Sequence, residues 1–147
     1  MTSLISKILI FFFTFVSFFT VAKPANVEIT VNEITTESTS IGFTYQNKTN
    51  KIMSELDSMT LYKNVDGQWE KIELNYAIPE VAYRTYQNQK VKEALPLTRY
   101  DFESEDVSLN YVKLTVGEYK LTIGYRIYES SEGWVSAEAS TIFTVDK

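Results

Sequence analysis

Neither histidine nor cysteine occurs in the 147 residues, so the chemistry open to this chain is that of carboxylates, hydroxyls, amines and aromatic rings. Ser-His-Asp and Cys-His nucleophiles are excluded, no Gly-x-Ser-x-Gly elbow is present, and zinc finds none of its usual ligands. What remains is a pair of carboxylates of the kind that hydrolyses glycosides, or an all-oxygen calcium site. The one dense acidic group is Asp101, Glu103, Glu105 and Asp106. In an extended segment Asp101, Glu103 and Glu105 point to one side, where a hard cation could sit. The same charges on a sheet edge repel strand-on-strand pairing. No spacing promises two acids about 5 to 10 Å apart across a cleft. No catalytic residue, metal-ligand set or cofactor is therefore assigned, and the chain reads as a non-enzyme.

Aromatic rings are the second resource. Tyr62, Trp69, Tyr83, Tyr86, Tyr100, Tyr128 and Trp134 exceed what the inner faces of two sheets need. Exposed Tyr and Trp give binding surfaces rigid contact area at small entropic cost and also stack on sugar rings, whereas many others only pack along a rim. Asp66-Gly67 narrows the choice, because this dipeptide suits a two-residue type I′ hairpin, in which both central residues need positive φ. Such a turn pairs Val65 with Gln68, Asn64 with Trp69, Lys63 with Glu70, Tyr62 with Lys71, Leu61 with Ile72 and Met59 with Leu74. One face then carries Met59, Leu61, Ile72 and Leu74, with a Lys63–Glu70 ion pair nearer the tip. Tyr62, Trp69 and Lys71 lie together on the other face and form the candidate binding patch. A slip of one residue would scatter the apolar set.

The elements that must position this hairpin are strands. Leu114 to Val145 reads as one long hairpin. Tyr119, Leu121, Ile123, Tyr125 and Ile127 share one face at a period of two, and Val135, Ala137, Ala139, Phe143 and Val145 share the matching face of the return strand. Val27, Ile29 and Val31, then Ile41, Phe43 and Tyr45, mark two further strands. Asn75 to Leu97 has the weakest pattern and is expected to be a long crossover with one or two short edge strands. A short helical turn is allowed between Asp106 and Leu114. With no sustained 3.6-residue period, the fold class is all-β: a sandwich of about seven antiparallel strands.

Residues Ile8 to Val21 form an apolar run after Lys7, closing on Thr20 and Ala22. This is the pattern of a secretory signal peptide, with an apolar core of about 7 to 15 residues and small side chains at the cut. The expected division is a signal over 1–22 and one domain over 23–147. The alternative is an uncleaved anchor from Leu4 to Ala22, near the roughly 17 to 25 residues a span needs. Without cysteine there is neither a lipoprotein anchor nor a disulfide. Losing residues 1–22 removes Lys7 and no acid, moving the net charge from −5 to −6. Nucleic acid and anionic membrane surfaces, both of which need clustered cations, are disfavoured partners. Asn47-Lys-Thr49 spells a glycosylation sequon, a short and common signal.

Leu114-Thr-Val-Gly117-Glu-Tyr119-Lys is similar to the tyrosine corner of immunoglobulin-like folds, in which the phenol bonds back to nearby backbone. Together with Leu61-Tyr-Lys-Asn-Val-Asp-Gly-Gln-Trp69, Asn47-Lys-Thr and Val81-Ala-Tyr83, it resembles the bacterial immunoglobulin-like domain of exported Gram-positive proteins, over roughly Val27 to Val145. The proline common before the corner glycine is absent here, Thr115 and Val116 standing in that stretch. The resemblance implies an immunoglobulin-like sandwich used as a cell-surface or secreted interaction and spacer module, with Gly117 and Tyr119 as the structural corner. Two functions follow: a secreted, non-catalytic module for a protein or cell-envelope partner, or a carbohydrate-binding or glycan-acting protein on the same scaffold.

Overall fold

The computed structural model describes residues 26–76, 78, 84–101 and 108–147. The expected signal segment 1–22, the stretch Val81 to Tyr83 and residues 102–106 of the acidic group lie outside them. Alternating apolar and polar residues build eleven strand segments among the described residues: β1 (Val27–Val31), β2 (Ser40–Asn47), β3 (Met53–Ser54), β4 (Ser58–Val65), β5 (Gln68–Ile72), β6 (Arg84–Thr85), β7 (Lys90–Pro96), β8 (Thr98–Asp101), β9 (Ser108–Tyr111), β10 (Gly117–Glu129) and β11 (Gly133–Val145). The described residues form no helix, so none there is long and apolar enough to cross a membrane.

These strands make an all-β immunoglobulin-like sandwich. A three-stranded sheet runs β1-β2-β7, and a six-stranded sheet runs β5-β4-β10-β3-β6 with β11 on the free side of β10. Every ladder among the described residues is antiparallel, and a parallel bridge joins Thr35 to Asp146. The inner faces supply one core: Val27, Ile41, Phe43, Tyr45 and Leu95 from the first sheet meet Leu61, Tyr119, Leu121, Ile123, Tyr125 and Ile127 from the second. Period-two alternation explains the choice, because each of these residues shares its face with its neighbours two positions away.

Three details depart from the sequence expectations. Residues 108–111, where a helical turn was allowed, form β9 and pair with β8 from Thr98↔Tyr111 to Asp101↔Ser108. The crossover holds the two edge strands expected of it, β6 and β7, but β7 is not short: it pairs with β2 over seven positions. Its alternation is hidden because Glu93 takes the place opposite Phe43 and only Leu95 is fully buried. The β4–β5 ladder ends at Leu61↔Ile72 rather than reaching Met59 and Leu74. Tyr76 takes over there: its hydroxyl accepts from the Met59 amide and donates to the Met59 carbonyl.

Burial leaves a mark on three tyrosines. Tyr45, Tyr76 and Tyr125 all hold their phenol protons more tightly than usual, chiefly because the interior disfavours phenolate. For Tyr45, Glu93 and Glu55 add to the effect while a bond to Thr85 opposes it. The native values are raised, so this contribution is complete below the unfolded tyrosine value of about 10 and is lost as pH climbs beyond it toward the folded values. Thermal melts should therefore show a midpoint that falls from about pH 10 upward. Phenolate absorbance should lag and rise together with unfolding. Titration of all ten tyrosines in one step, with the fold intact by circular dichroism, would contradict this.

Candidate functional site

The β4–β5 hairpin turns on Asp66 and Gly67, with φ of 52° and 84°, the positive values that a type I′ turn requires. Asn64 fastens the turn, its Oδ1 accepting from the Gly67 amide at 2.9 Å. The ladder runs Val65↔Gln68, Asn64↔Trp69, Lys63↔Glu70, Tyr62↔Lys71 and Leu61↔Ile72. This places Tyr62, Trp69 and Lys71 on one side of the hairpin, the outer face of the six-stranded sheet. Trp69 and Tyr62 are half-buried and Lys71 is exposed.

The cation that joins the two rings is not Lys71. It is Lys120, which β10 sets directly opposite Tyr62. Its Nζ lies 4.6 Å from the Tyr62 ring centroid and 4.9 Å from that of Trp69, inside the roughly 6 Å range of cation–π attraction. Lys71 instead pairs with Glu73 at 3.4 Å. Next to this group Asn64 Nδ2 donates to Glu118 Oε1 at 2.8 Å, tying β4 to β10. The expected Lys63–Glu70 pair does not form. Lys63 points to the inner side of the ladder, where Thr115 approaches, and its Nζ bonds Thr115 Oγ1.

Further along the same outer face, Tyr128 and Trp134 stand opposite each other at the far end of the β10–β11 hairpin. Their rings meet edge to face at 5.5 Å and remain 46% and 40% exposed. Between the two aromatic groups the surface is hydroxylic: Thr122 Oγ1 and Ser140 Oγ lie 2.8 Å apart. The outer face thus has an aromatic and cationic end, a polar middle and a second aromatic end.

The corner that orients β10 is closed by Tyr119. Its buried hydroxyl donates to the Thr115 carbonyl at 2.9 Å and accepts from the Thr115 amide at 3.1 Å, while the ring stacks on Phe143 at 5.9 Å. Gly117, φ 150°, makes the bend two residues earlier. Asn47, at the end of β2, is fully buried. Its Nδ2 donates to the carbonyls of Lys51 and Thr85, at 2.8 and 3.0 Å, and its Oδ1 accepts from the Thr49 amide at 2.9 Å. The amide nitrogen that a glycan would need is thus buried and doubly engaged, so the folded chain cannot use the Asn47 sequon. Sequence reading missed this joint, although Asn-x-Thr is also the signature of a side chain that bonds its own backbone two residues on.

Surface concavities lie among the described residues. One of about 320 Å³ lies on the outer face of the three-stranded sheet among Glu28, Thr30, Thr44, Gln46, Lys90 and Lys92. Another, of about 490 Å³, lies by the loops around Lys51 and Glu129. Each holds a single carboxylate. No group of three or more His, Cys, Asp or Glu that could hold a metal occurs among the described residues.

No curated protein and no solved structure matches this chain. The family model described as a bacterial Ig-like domain matches residues 23–138, which takes in the hairpin patch, the tyrosine corner and most of both sheets. The chain belongs to the bacterial Ig-like domain family.

Proposed function

We propose that this protein is a secreted or cell-surface, non-catalytic interaction module that binds a protein partner through the outer face of its six-stranded sheet. Family membership supports a general interaction or structural role. The apolar run Ile8 to Val21 behind Lys7, closing on Thr20 and Ala22, supports export.

The observation that carries the reading is Lys120 held between Tyr62 and Trp69. Rings fixed in this way contribute contact area with little entropy left to lose, and Lys71 and Lys120 offer cations to carboxylates or carbonyls of a partner. For the carbohydrate reading, in which a sugar lies flat on a ring, Lys120 already takes one face of each ring and leaves only the opposite face for stacking.

Trp69→Ala and Lys120→Ala test the assignment. Capture from the native culture medium and cell-wall fraction with the unaltered protein should enrich a partner that both variants lose, with affinity reduced about tenfold or more for Trp69→Ala. A glycan array should stay silent for all three proteins. Identical capture by the unaltered protein and Trp69→Ala would remove the patch from the function, and glycan binding abolished by Trp69→Ala would favour the carbohydrate reading.

A further inference from the structure

Strand β11 hydrogen-bonds to β10 along its whole length; among the described residues β1 also packs close to it, but the ladder on its other edge is limited to the bridge between Thr35 and Asp146. The direction of its backbone groups follows from β10. The Tyr128 amide donates to the Ile52 carbonyl at 3.0 Å and the Gly124 carbonyl accepts from the Asp57 amide at 2.9 Å, both on the side away from β11. In an antiparallel ladder the residues opposite these send their own N–H and C=O the other way. Trp134 and Glu138 therefore aim at the open edge, as do Ser136, Ser140, Ile142 and Thr144 of the same alternate series. Asp146, next in that series, shows it directly: its amide donates to Ile34 and its carbonyl accepts from Thr36, at 3.3 and 3.1 Å. The six residues before it, with two groups each, present twelve backbone groups to the edge.

Folded proteins usually blunt such edges with lysine, proline, a bulge or short length. The other edges here follow that rule: β1 and β5 have five residues each, β6 has two, and β7 carries Lys90 and Lys92 and ends in Pro96. β11 does not. It has thirteen residues, no lysine and no proline, and Glu138 is its only charge.

We propose that this edge pairs antiparallel with the same edge of a second copy of this chain, about a two-fold axis through Ala139, joining two six-stranded sheets into one. Self-complementarity is what a two-fold interface demands, and the register is determined by three facts. Only members of the outward series can exchange hydrogen bonds. Centring on Ala139 matches Trp134 to Thr144, Ser136 to Ile142 and Glu138 to Ser140 of the second copy, and the reverse. All twelve groups of each copy are then used, comparable to the roughly ten direct hydrogen bonds of a typical interface. An axis at Glu138 would set that carboxylate against its own copy. An axis at Ser140 would drive the second copy's Trp134 onto Asp146, whose edge Ile34 and Thr36 already fill. With the axis at Ala139 the incoming strand starts at Gly133, opposite Val145, just short of that segment. On the inner face, half-buried Val135 and Ala137 gain Phe143 and Thr141 of the second copy as neighbours.

Sedimentation equilibrium on the protein recovered from expression of the full chain tests the pairing. Ser136 and Ile142 are exposed, so both can be changed without touching the core. The double variant S136K/I142K puts lysine opposite lysine at two places in the proposed register, whereas S136K/I142E puts lysine opposite glutamate. The unaltered protein should dimerise at micromolar concentration; S136K/I142K should raise the dissociation constant at least about tenfold, and S136K/I142E should stay within about threefold of the unaltered protein. Ile142 faces Lys120 within its own sheet, so thermal melts of each variant report that effect separately. A monomer at all concentrations, leaving the edge to some other chain or to this chain's remaining residues, would overturn the proposal, as would equal weakening by the two variants.

Discussion

Replacing Tyr119 with alanine is expected to cost about 4 kcal/mol of stability, and with phenylalanine about 1 to 2 kcal/mol. The two substitutions separate two jobs of one residue. Alanine removes a ring that is 1% exposed, leaving a cavity beside Phe143, whose ring stacks on it at 5.9 Å. Truncating a buried aromatic typically costs about 3 to 5 kcal/mol. Phenylalanine keeps the packing but strands the Thr115 amide and carbonyl, both of which bond the Tyr119 hydroxyl. For a domain of this size the alanine variant should melt on the order of 10 to 20 °C lower. Urea unfolding of both variants checks the ranking, and a phenylalanine variant as stable as the unaltered protein would show that the hydroxyl contributes nothing.

Asn47→Ala is expected to cost about 3 kcal/mol, more than its small size suggests. Its side chain joins three stretches that are distant in sequence or turn sharply: the end of β2, the Thr49–Lys51 loop and Thr85 of β6. Removing it leaves the buried Thr85 carbonyl and the part-buried Thr49 amide without their partner, and a fully buried group so stranded costs about 1 to 3 kcal/mol. The Lys51 carbonyl keeps a weaker bond from Thr49 Oγ1 at 3.2 Å. Asn47→Asp makes a sharper test. An ionised carboxylate would face the two carbonyls that now accept from Nδ2, so this variant should be at least as unstable as Asn47→Ala at neutral pH and should recover part of the loss when acid protonates it. Chemical denaturation at neutral and mildly acidic pH reads both effects. A shift under about 0.5 kcal/mol for Asn47→Ala would mean that water replaces the lost bonds.

How much was legible depended on how local each signal was. The β4–β5 register could be read from Asp66-Gly67 because a two-residue turn determines the pairing of everything beside it, and the ladder follows that register as far as Leu61↔Ile72. The side on which Tyr62 and Trp69 lie comes from the same local rule. Lys120 could not be found in this way. It reaches the rings through the β4–β10 pairing, which joins segments about 60 residues apart, and sequence alternation says which face a residue takes but not which strand lies beside it. Lys63 followed the same logic in reverse. Glu70 is its cross-strand neighbour, yet Thr115, brought in by the tyrosine corner, takes its ammonium.

The amino-acid order alone determined the all-β class, the inner face of each long strand and the two glycine-dependent bends at Gly67 and Gly117, because these are settled within a few residues by side-chain alternation and backbone sterics. Tertiary structure decided the rest. It selected Lys120 as the cation between the rings, made Asn47 a buried joint rather than a surface sequon, extended β7 of the crossover to a seven-position pairing with β2, and left β11 open along one edge. Each of these depends on which distant segments share a hydrogen-bonded ladder, and that choice is made only when two sheets close over a common core.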